Sequence, residues 1–135
     1  MHHRDIKLEN ILLSYDVPKI TDFELSVYTK LDFFPRKTIC GSPAYFCPEM
    51  IQKQRYNKKA DIWSLGIVFY ELLCGYFPFD VEVYSDIQNI HHQNMKEFPI
   101  SISKEGANLI SQMLCKDSEE RITIEDVLSH SYFKV

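Results

Sequence analysis

The sequence predicts a mainly α fold, a single domain that opens with a short β-hairpin. Three observations carry the prediction. From Lys59 to Cys74 apolar residues cover every face of a 3.6-residue period, the mark of a helix buried on all sides. The segments after it carry helical spacing and capping residues. Strand-like runs are confined to Ile11-Leu12-Leu13 and Lys19-Ile20-Thr21, on either side of a turn.

The hairpin is expected over residues 11–21, with Ser14-Tyr15-Asp16-Val17-Pro18 supplying the turn. From Asp22 to Pro48 nothing is periodic, and Thr29, Pro35, Thr38, Gly41, Ser42 and Pro43 are loop residues; so long an irregular stretch inside a compact domain points to function or disorder. The central helix over 59–74 should stop at Gly75. Val83, Ile87 and Ile90 share one face of an amphipathic helix that would also carry His91 and His92. Ser103 can cap a helix whose inner stripe is Ala107, Ile110 and Leu114. Thr123 and Asp126 mark the start of a last short helix holding Val127 and Leu128.

Composition narrows the function classes. With 135 residues, 45% hydrophobic and 25% charged, the chain is neither disordered, collagen-like nor a coiled coil. A formal net charge of −4 argues against nucleic-acid binding. No apolar run reaches the roughly 20 residues of a membrane span, and no apolar signal core follows Met1. Cys40, Cys47, Cys74 and Cys115 form no C-x-x-C pair, so free thiols in a reducing compartment are expected, with the chain cytoplasmic or nuclear.

The densest polar cluster is His3-Arg4-Asp5-Ile6-Lys7-Leu8-Glu9-Asn10. Asp5 offers a proton acceptor, Lys7 a phosphate-binding cation and Asn10 a metal-binding amide. A hairpin brings its two ends to one place, so Asp22 can return to Asn10. A carboxylate and an amide meeting there form a hard-oxygen site suited to Mg²⁺.

Together these residues resemble the protein-kinase catalytic loop, H-R-D-x-K-x-x-N, followed by D-F-G. Cys47-Pro48-Glu49 resembles the A-P-E motif, and Asp61-Ile62-Trp63-Ser64-Leu65-Gly66 the D-x-W-S-x-G helix of the same family. Arg121 stands where the family has the arginine that pairs with the A-P-E glutamate. The sequence is thus similar to eukaryotic serine/threonine protein kinases over essentially its whole length, and the fold implied is the kinase C-terminal lobe.

The resemblance implies a role for each matching residue. Asp5 would orient the substrate hydroxyl and accept its proton, and Lys7 would stabilise the transferred γ-phosphoryl of ATP. Asn10 and Asp22 would hold Mg²⁺, Leu12 would floor the adenine pocket, and His3 and Phe23 would be hydrophobic-spine residues. Glu9 is either a carboxylate facing a basic substrate residue or a plain surface glutamate. Thr38 falls at the activation-loop phosphorylation position, with Arg4 as the phosphate's partner and an upstream kinase as its source. Residues 41–45 would dock the substrate residue after the acceptor, with Ser42 bridging Asp5 and Lys7. Cys40 reads as a structural thiol rather than a redox sensor. Asp61 would accept hydrogen bonds from the backbone at His3 and Arg4, and Glu49 and Arg121 would form a buried pair. The partners implied are protein substrates, basic around the acceptor; nucleic acid and membrane are not.

Two departures from the family pattern bear on activity. The motifs begin at Met1, and Gly41, Gly66, Gly75 and Gly106 stand too far apart for a G-x-G-x-x-G loop. Residues 1–135 are therefore expected to be a partial kinase domain, from the catalytic loop to the last helix, without the ATP-binding N-terminal lobe and inactive alone. The D-F-G motif reads Asp22-Phe23-Glu24, and a glutamate forced to φ > 0 would cost about 1–2 kcal/mol. The alternative is a truncated pseudokinase acting as a protein-binding module. Leu25-Ser26-Val27 and Glu105-Gly106-Ala107-Asn108 resemble Aurora kinases, and residues 37–43 the AMP-activated and testis-specific kinases.

Overall fold

The structure, a computed structural model, describes residues 1–28 and 39–134. Strands β1 (Ile11–Ser14) and β2 (Val17–Ile20) pair antiparallel in the register Ile11↔Ile20 to Ser14↔Val17. A two-residue tip requires left-handed backbone at both positions; Tyr15 and Asp16 supply it at φ 51° and 61°. Helices α1 (Pro48–Ile51), α2 (Lys59–Cys74), α3 (Tyr84–Gln88), α4 (Lys104–Met113) and α5 (Ile124–Ser129) follow. Short 3₁₀ turns stand at Leu8–Asn10, Pro43–Tyr45 and Ser131–Phe133. Among the described residues, five helices after one two-stranded sheet make the mainly α kinase C-terminal lobe that the sequence predicts. No helix among the described residues is long and apolar enough to cross a membrane.

Helix α2 is the axis of the core. Trp63, Ile67 and Tyr70 are fully enclosed, and Trp63 stacks on Phe79 at 5.5 Å between ring centroids. A Cβ on Gly66 would stand 2.9 Å from the Cβ of Met113, so this glycine lets α2 and α4 approach closely. Gly75 ends α2 at φ 82°, its N–H donating to the Glu71 carbonyl at 2.8 Å. Ser103 caps α4 by accepting from the Gly106 N–H at 3.0 Å, and Thr123 caps α5 by accepting from the Asp126 N–H at 3.2 Å.

Four expectations need correction. The burial of α2 fails in its last turn, where Leu72 is 62% exposed and Leu73 is exposed as well; no described element covers that turn. Helix α3 is shorter than its apolar spacing implies. Val83 precedes it, and Ile90, the buried member of the trio, lies beyond its end. His91 and His92 then occupy a turn rather than a helix. The inner stripe of α4 is Gly106, Leu109, Ile110 and Met113, continued by Leu114 past its end, while Ala107 is only half-buried. Helix α5 holds Val127 and Leu128 as expected, the first buried and the second facing solvent. The cysteines are all free, and burial pushes the Cys47 thiol well up, with the neighbouring Glu49 adding to it.

Candidate active site

The loop carrying the polar cluster is fixed at its start by backbone pairing. His2 and Val27 exchange two hydrogen bonds of 2.9 Å. Arg4 then adopts a left-handed backbone, φ 70°, at a cost of about 1–2 kcal/mol for a residue with a Cβ. The Asp61 carboxylate offsets it, accepting from the His3 N–H at 2.8 Å and the Arg4 N–H at 2.9 Å. Hydrogen bonds to a charged acceptor contribute about 1.5–3 kcal/mol each, so the bend is held with margin. The His3 ring bonds the Thr21 carbonyl at 2.9 Å and meets Phe23 edge-on at 4.8 Å.

Beyond the bend, four side chains converge. One Asp5 oxygen accepts from the Ser42 backbone N–H at 2.9 Å. The other lies 3.1 Å from the Lys7 ammonium and 3.2 Å from the Asn10 amide nitrogen. Lys7 also donates to the Ser42 hydroxyl at 2.8 Å, and the Asn10 amide to the Asp5 carbonyl at 2.9 Å. Ser42 thus bridges Asp5 and Lys7. Burial works to raise the pKa of Asp5, but the hydrogen bonds from Lys7 and Ser42 outweigh it, and the carboxyl stays below its ordinary range. The close approach requires Gly41, which sits at φ 102°; a Cβ there would lie 2.6 Å from the Arg4 carbonyl oxygen and 3.1 Å from Asp5.

The hairpin brings its far end back. The Thr21 N–H donates to the Asn10 carbonyl at 2.8 Å, which sets Asp22 beside Asn10 at the mouth of the ladder. Asp22 is solvent-exposed and makes no ion pair among the described residues. It is Asp22, at φ 62°, that carries left-handed backbone in this motif, and Glu24 does not; the strain expected at Glu24 is therefore absent. Among the described residues no cluster of three or more His, Cys, Asp or Glu side chains could hold a metal; Asn10 and Asp22 supply an amide and a carboxylate that could hold Mg²⁺. That ion binds through one or two protein oxygens and completes its shell with water and phosphate. Leu12 is exposed on β1.

Arg4 spends its Nε on the Leu25 carbonyl, at 2.5 Å. Thr38 lies outside the described residues. Glu9 is exposed. Sequence reading missed its companion Glu71, whose carboxylate accepts from the Tyr45 hydroxyl at 3.0 Å. Burial, then Glu71, then Glu9 all hold that hydroxyl well above its usual pKa, which puts both carboxylates in the Tyr45 neighbourhood. The available signal was an acid near the end of the apolar run of α2, whose other acid is Asp61. Ser64, also missed, donates to the Tyr45 carbonyl at 2.9 Å and ties the wall of the site to α2.

Behind the site, Arg121 and Glu49 form the expected pair, with two bonds of 2.7 and 2.9 Å. Arg121 further donates to the carbonyls of Cys115 and Lys59 at 2.9 and 3.0 Å, and its guanidinium lies 5.2 Å from the Trp63 ring.

The protein kinase domain family model matches residues 1–133, and the chain belongs to that family. Its relatives are serine/threonine kinases. The chain is 41% identical over 133 residues to an Aurora kinase of Dictyostelium discoideum, covering 98% of this chain and 34% of the relative. It is 41% identical over 134 residues to maternal embryonic leucine zipper kinase of Xenopus tropicalis, covering 96% and 20%. To serine/threonine-protein kinase PLK4 of Drosophila virilis it is 39% identical over 131 residues, covering 96% and 17%. The chain thus spans between 17% and 34% of the length of these relatives. Equal identity to the first two does not choose between kinase groups.

Proposed function

We propose that residues 1–135 are the catalytic-loop part of a serine/threonine protein kinase domain, which transfers the γ-phosphoryl group of ATP to a hydroxyl of a protein substrate. The observation that carries this reading is the convergence of Asp5, Lys7, Asn10 and Ser42 on a loop bent by Asp61. Asp5, kept ionised by its donors, orients the acceptor hydroxyl and takes its proton. Lys7, positioned by Ser42, offsets charge on the transferred group, and positioning of this kind is the larger part of phosphoryl-transfer catalysis. Asn10 and Asp22 would hold Mg²⁺, which when bound neutralises phosphate charge. Leu12 offers an apolar surface to the adenine ring, and Glu9 with Glu71 favours substrates basic around the acceptor. Glu24 sets a carboxylate near the phosphates and lowers activity. That residue, with the exposed apolar hairpin, favours the second reading, a pseudokinase that serves as a protein-binding module.

Calorimetric titration with Mg²⁺-ATP tests the nucleotide site: Asp22→Ala removes whatever binding the chain shows. Transfer of labelled phosphate to a serine peptide by the full-length protein, abolished by Asp5→Ala, supports the kinase reading. Peptide binding without Asp5-dependent transfer supports the module.

Phosphorylation of Thr38 by an upstream kinase would add a dianion for Arg4. Arg4→Ala should then keep nucleotide affinity and lose the roughly 10- to 100-fold gain on phosphorylation, read as steady-state turnover before and after the activating kinase. A full response in Arg4→Ala would assign the phosphate to another residue.

A further inference from the structure

A cavity of about 270 Å³ lies where the end of the hairpin, the start of α2 and the start of α5 meet. Ile6 and Ile20 line it on one side, Ile62 and Leu65 from α2, and Ile124 from α5. Asp5, Lys7, Asn10 and Ser42 take no part in it. Among the described residues no aromatic ring lines this cavity, so its walls are aliphatic and offer a flat ring nothing to stack on. Ile6 and Ile62 are buried, while Ile20 and Ile124 are partly exposed, which leaves apolar surface open to a ligand.

Lys58 and Lys59 stand at the same cavity. With Lys53 and Arg55 they place four cations, and no acid, in the seven residues that lead into α2. In a chain of net charge −4, this run marks the cavity with the opposite sign. Lys58 is exposed and Lys59 half-buried, so the charges sit toward solvent and the deepest walls are aliphatic. The cavity's other polar groups are occupied. The Asp61 carboxylate accepts from the His3 and Arg4 N–H groups, and the Thr123 hydroxyl donates to Asp126 at 2.7 Å. The Lys59 ammonium donates to the Glu119 carbonyl at 2.8 Å and, with three donors, has others to offer. Ammonium groups at the edge of an aliphatic cavity are complementary to an aliphatic chain that ends in an anion. Scaled from a cavity of about 150 Å³ that holds the six carbons of benzene, this one takes a chain of roughly ten carbons.

We propose that this cavity binds a free medium-chain aliphatic carboxylate, its chain against Ile6, Ile20, Ile62, Leu65 and Ile124 and its carboxylate on Lys58 and Lys59. The site goes beyond the kinase reading and does not depend on it. It reaches the catalytic loop through Ile6, which stands between Asp5 and Lys7.

The test is calorimetric titration of the 135-residue chain with sodium hexanoate, octanoate, decanoate and tetradecanoate, each kept below its micelle concentration. Affinity should rise about 4-fold per added methylene while the chain is being buried. It should level off near decanoate, so that tetradecanoate binds no tighter. Octanol, with the same chain and no charge, should bind about 5-fold more weakly than octanoate. Lys58→Gln combined with Lys59→Gln should bring octanoate down to the affinity of octanol and leave octanol unchanged. Ile124→Trp, a substitution at a partly exposed wall position, should fill the cavity and remove binding of both, with circular dichroism reporting on the fold. The lysine pair and the chain-length series decide the question even if the tryptophan variant does not fold. Absence of saturable decanoate binding overturns the proposal. So does affinity that keeps climbing to tetradecanoate, or equal affinity for octanoate and octanol in the unmodified chain.

Discussion

The Asp5 carboxylate takes the Ser42 N–H, the Asn10 amide and the Lys7 ammonium at once, and its charge has a thermodynamic consequence. Its carboxyl pKa in the folded chain lies below the ordinary value because Lys7 and Ser42 stabilise the ionised form against the opposing effect of burial. A carboxyl with a depressed folded pKa contributes stability that is fully present above its unfolded value, about 3.9. That contribution is lost as pH falls through the folded value, since the unfolded chain binds the proton first. Asp5→Asn removes the titration while keeping the shape. The stability difference between wild type and variant, measured by urea unfolding, should therefore be largest near about pH 6 and shrink toward about pH 3. A difference that stays constant over that range would mean that Asp5 is not held ionised by these donors. The residue scale is also where sequence reading did best: Asp5, Lys7, Asn10 and Ser42 lie on short segments whose spacing alone brings the first three together. Glu71 and Ser64 escaped because their roles arise only from the contact of α2 with Tyr45.

The elements owe their stability to unequal shares of α2 and to one ion pair. Ile67 is fully buried on α2, while Leu72, one turn later, is mostly exposed. Ile67→Ala should cost about 2–5 kcal/mol and Leu72→Ala under about 0.5 kcal/mol, compared by urea unfolding. Equal losses would mean that the last turn of α2 is covered in solution. Arg121 ties Glu49 in α1 to the carbonyls of Lys59 and Cys115, so it joins α1 to both the start of α2 and the loop after α4. Removing one partner of a buried pair costs about 3–5 kcal/mol, because the other charge is stranded. Arg121→Met should therefore destabilise strongly, and Arg121→Met combined with Glu49→Leu should recover part of the loss. A double variant less stable than the single one would show that the carbonyl bonds outweigh the pair. The uniform apolarity of α2 did not reveal its bare end, since burial depends on what packs against a helix. The i, i+4, i+7 spacing overstated α3 for a related reason: Ile90 reaches the core from a turn as well as it would from a helix.

At the scale of the whole molecule, the hairpin leaves apolar side chains bare on both of its faces, Leu12 and Val17 on one and Leu13 and Ile20 on the other. Leu12, Leu13, Val17, Ile20 and Phe23 are all exposed, and Asp22 stands among them without a partner among the described residues. The order of the motifs made this lobe legible from sequence, because each motif lies on a short local segment and α2 connects them. What the sequence could not convey was which apolar residues would be left uncovered. A ligand pocket ordinarily buries most of its ligand's surface, whereas on the proposed reading the hairpin would offer adenine one apolar surface and Asn10 with Asp22 would offer Mg²⁺ two oxygens. Assayed as these 135 residues, the chain should consequently give no measurable transfer of phosphate from Mg²⁺-ATP to a serine peptide. Any nucleotide affinity should be weak and should disappear in Asp22→Ala. Calorimetry and a radiolabel assay on the same preparation check both halves. Robust turnover that Asp5→Ala abolishes would overturn the expectation, and would mean that one lobe positions ATP well enough for Asp5 and Lys7 to complete the reaction.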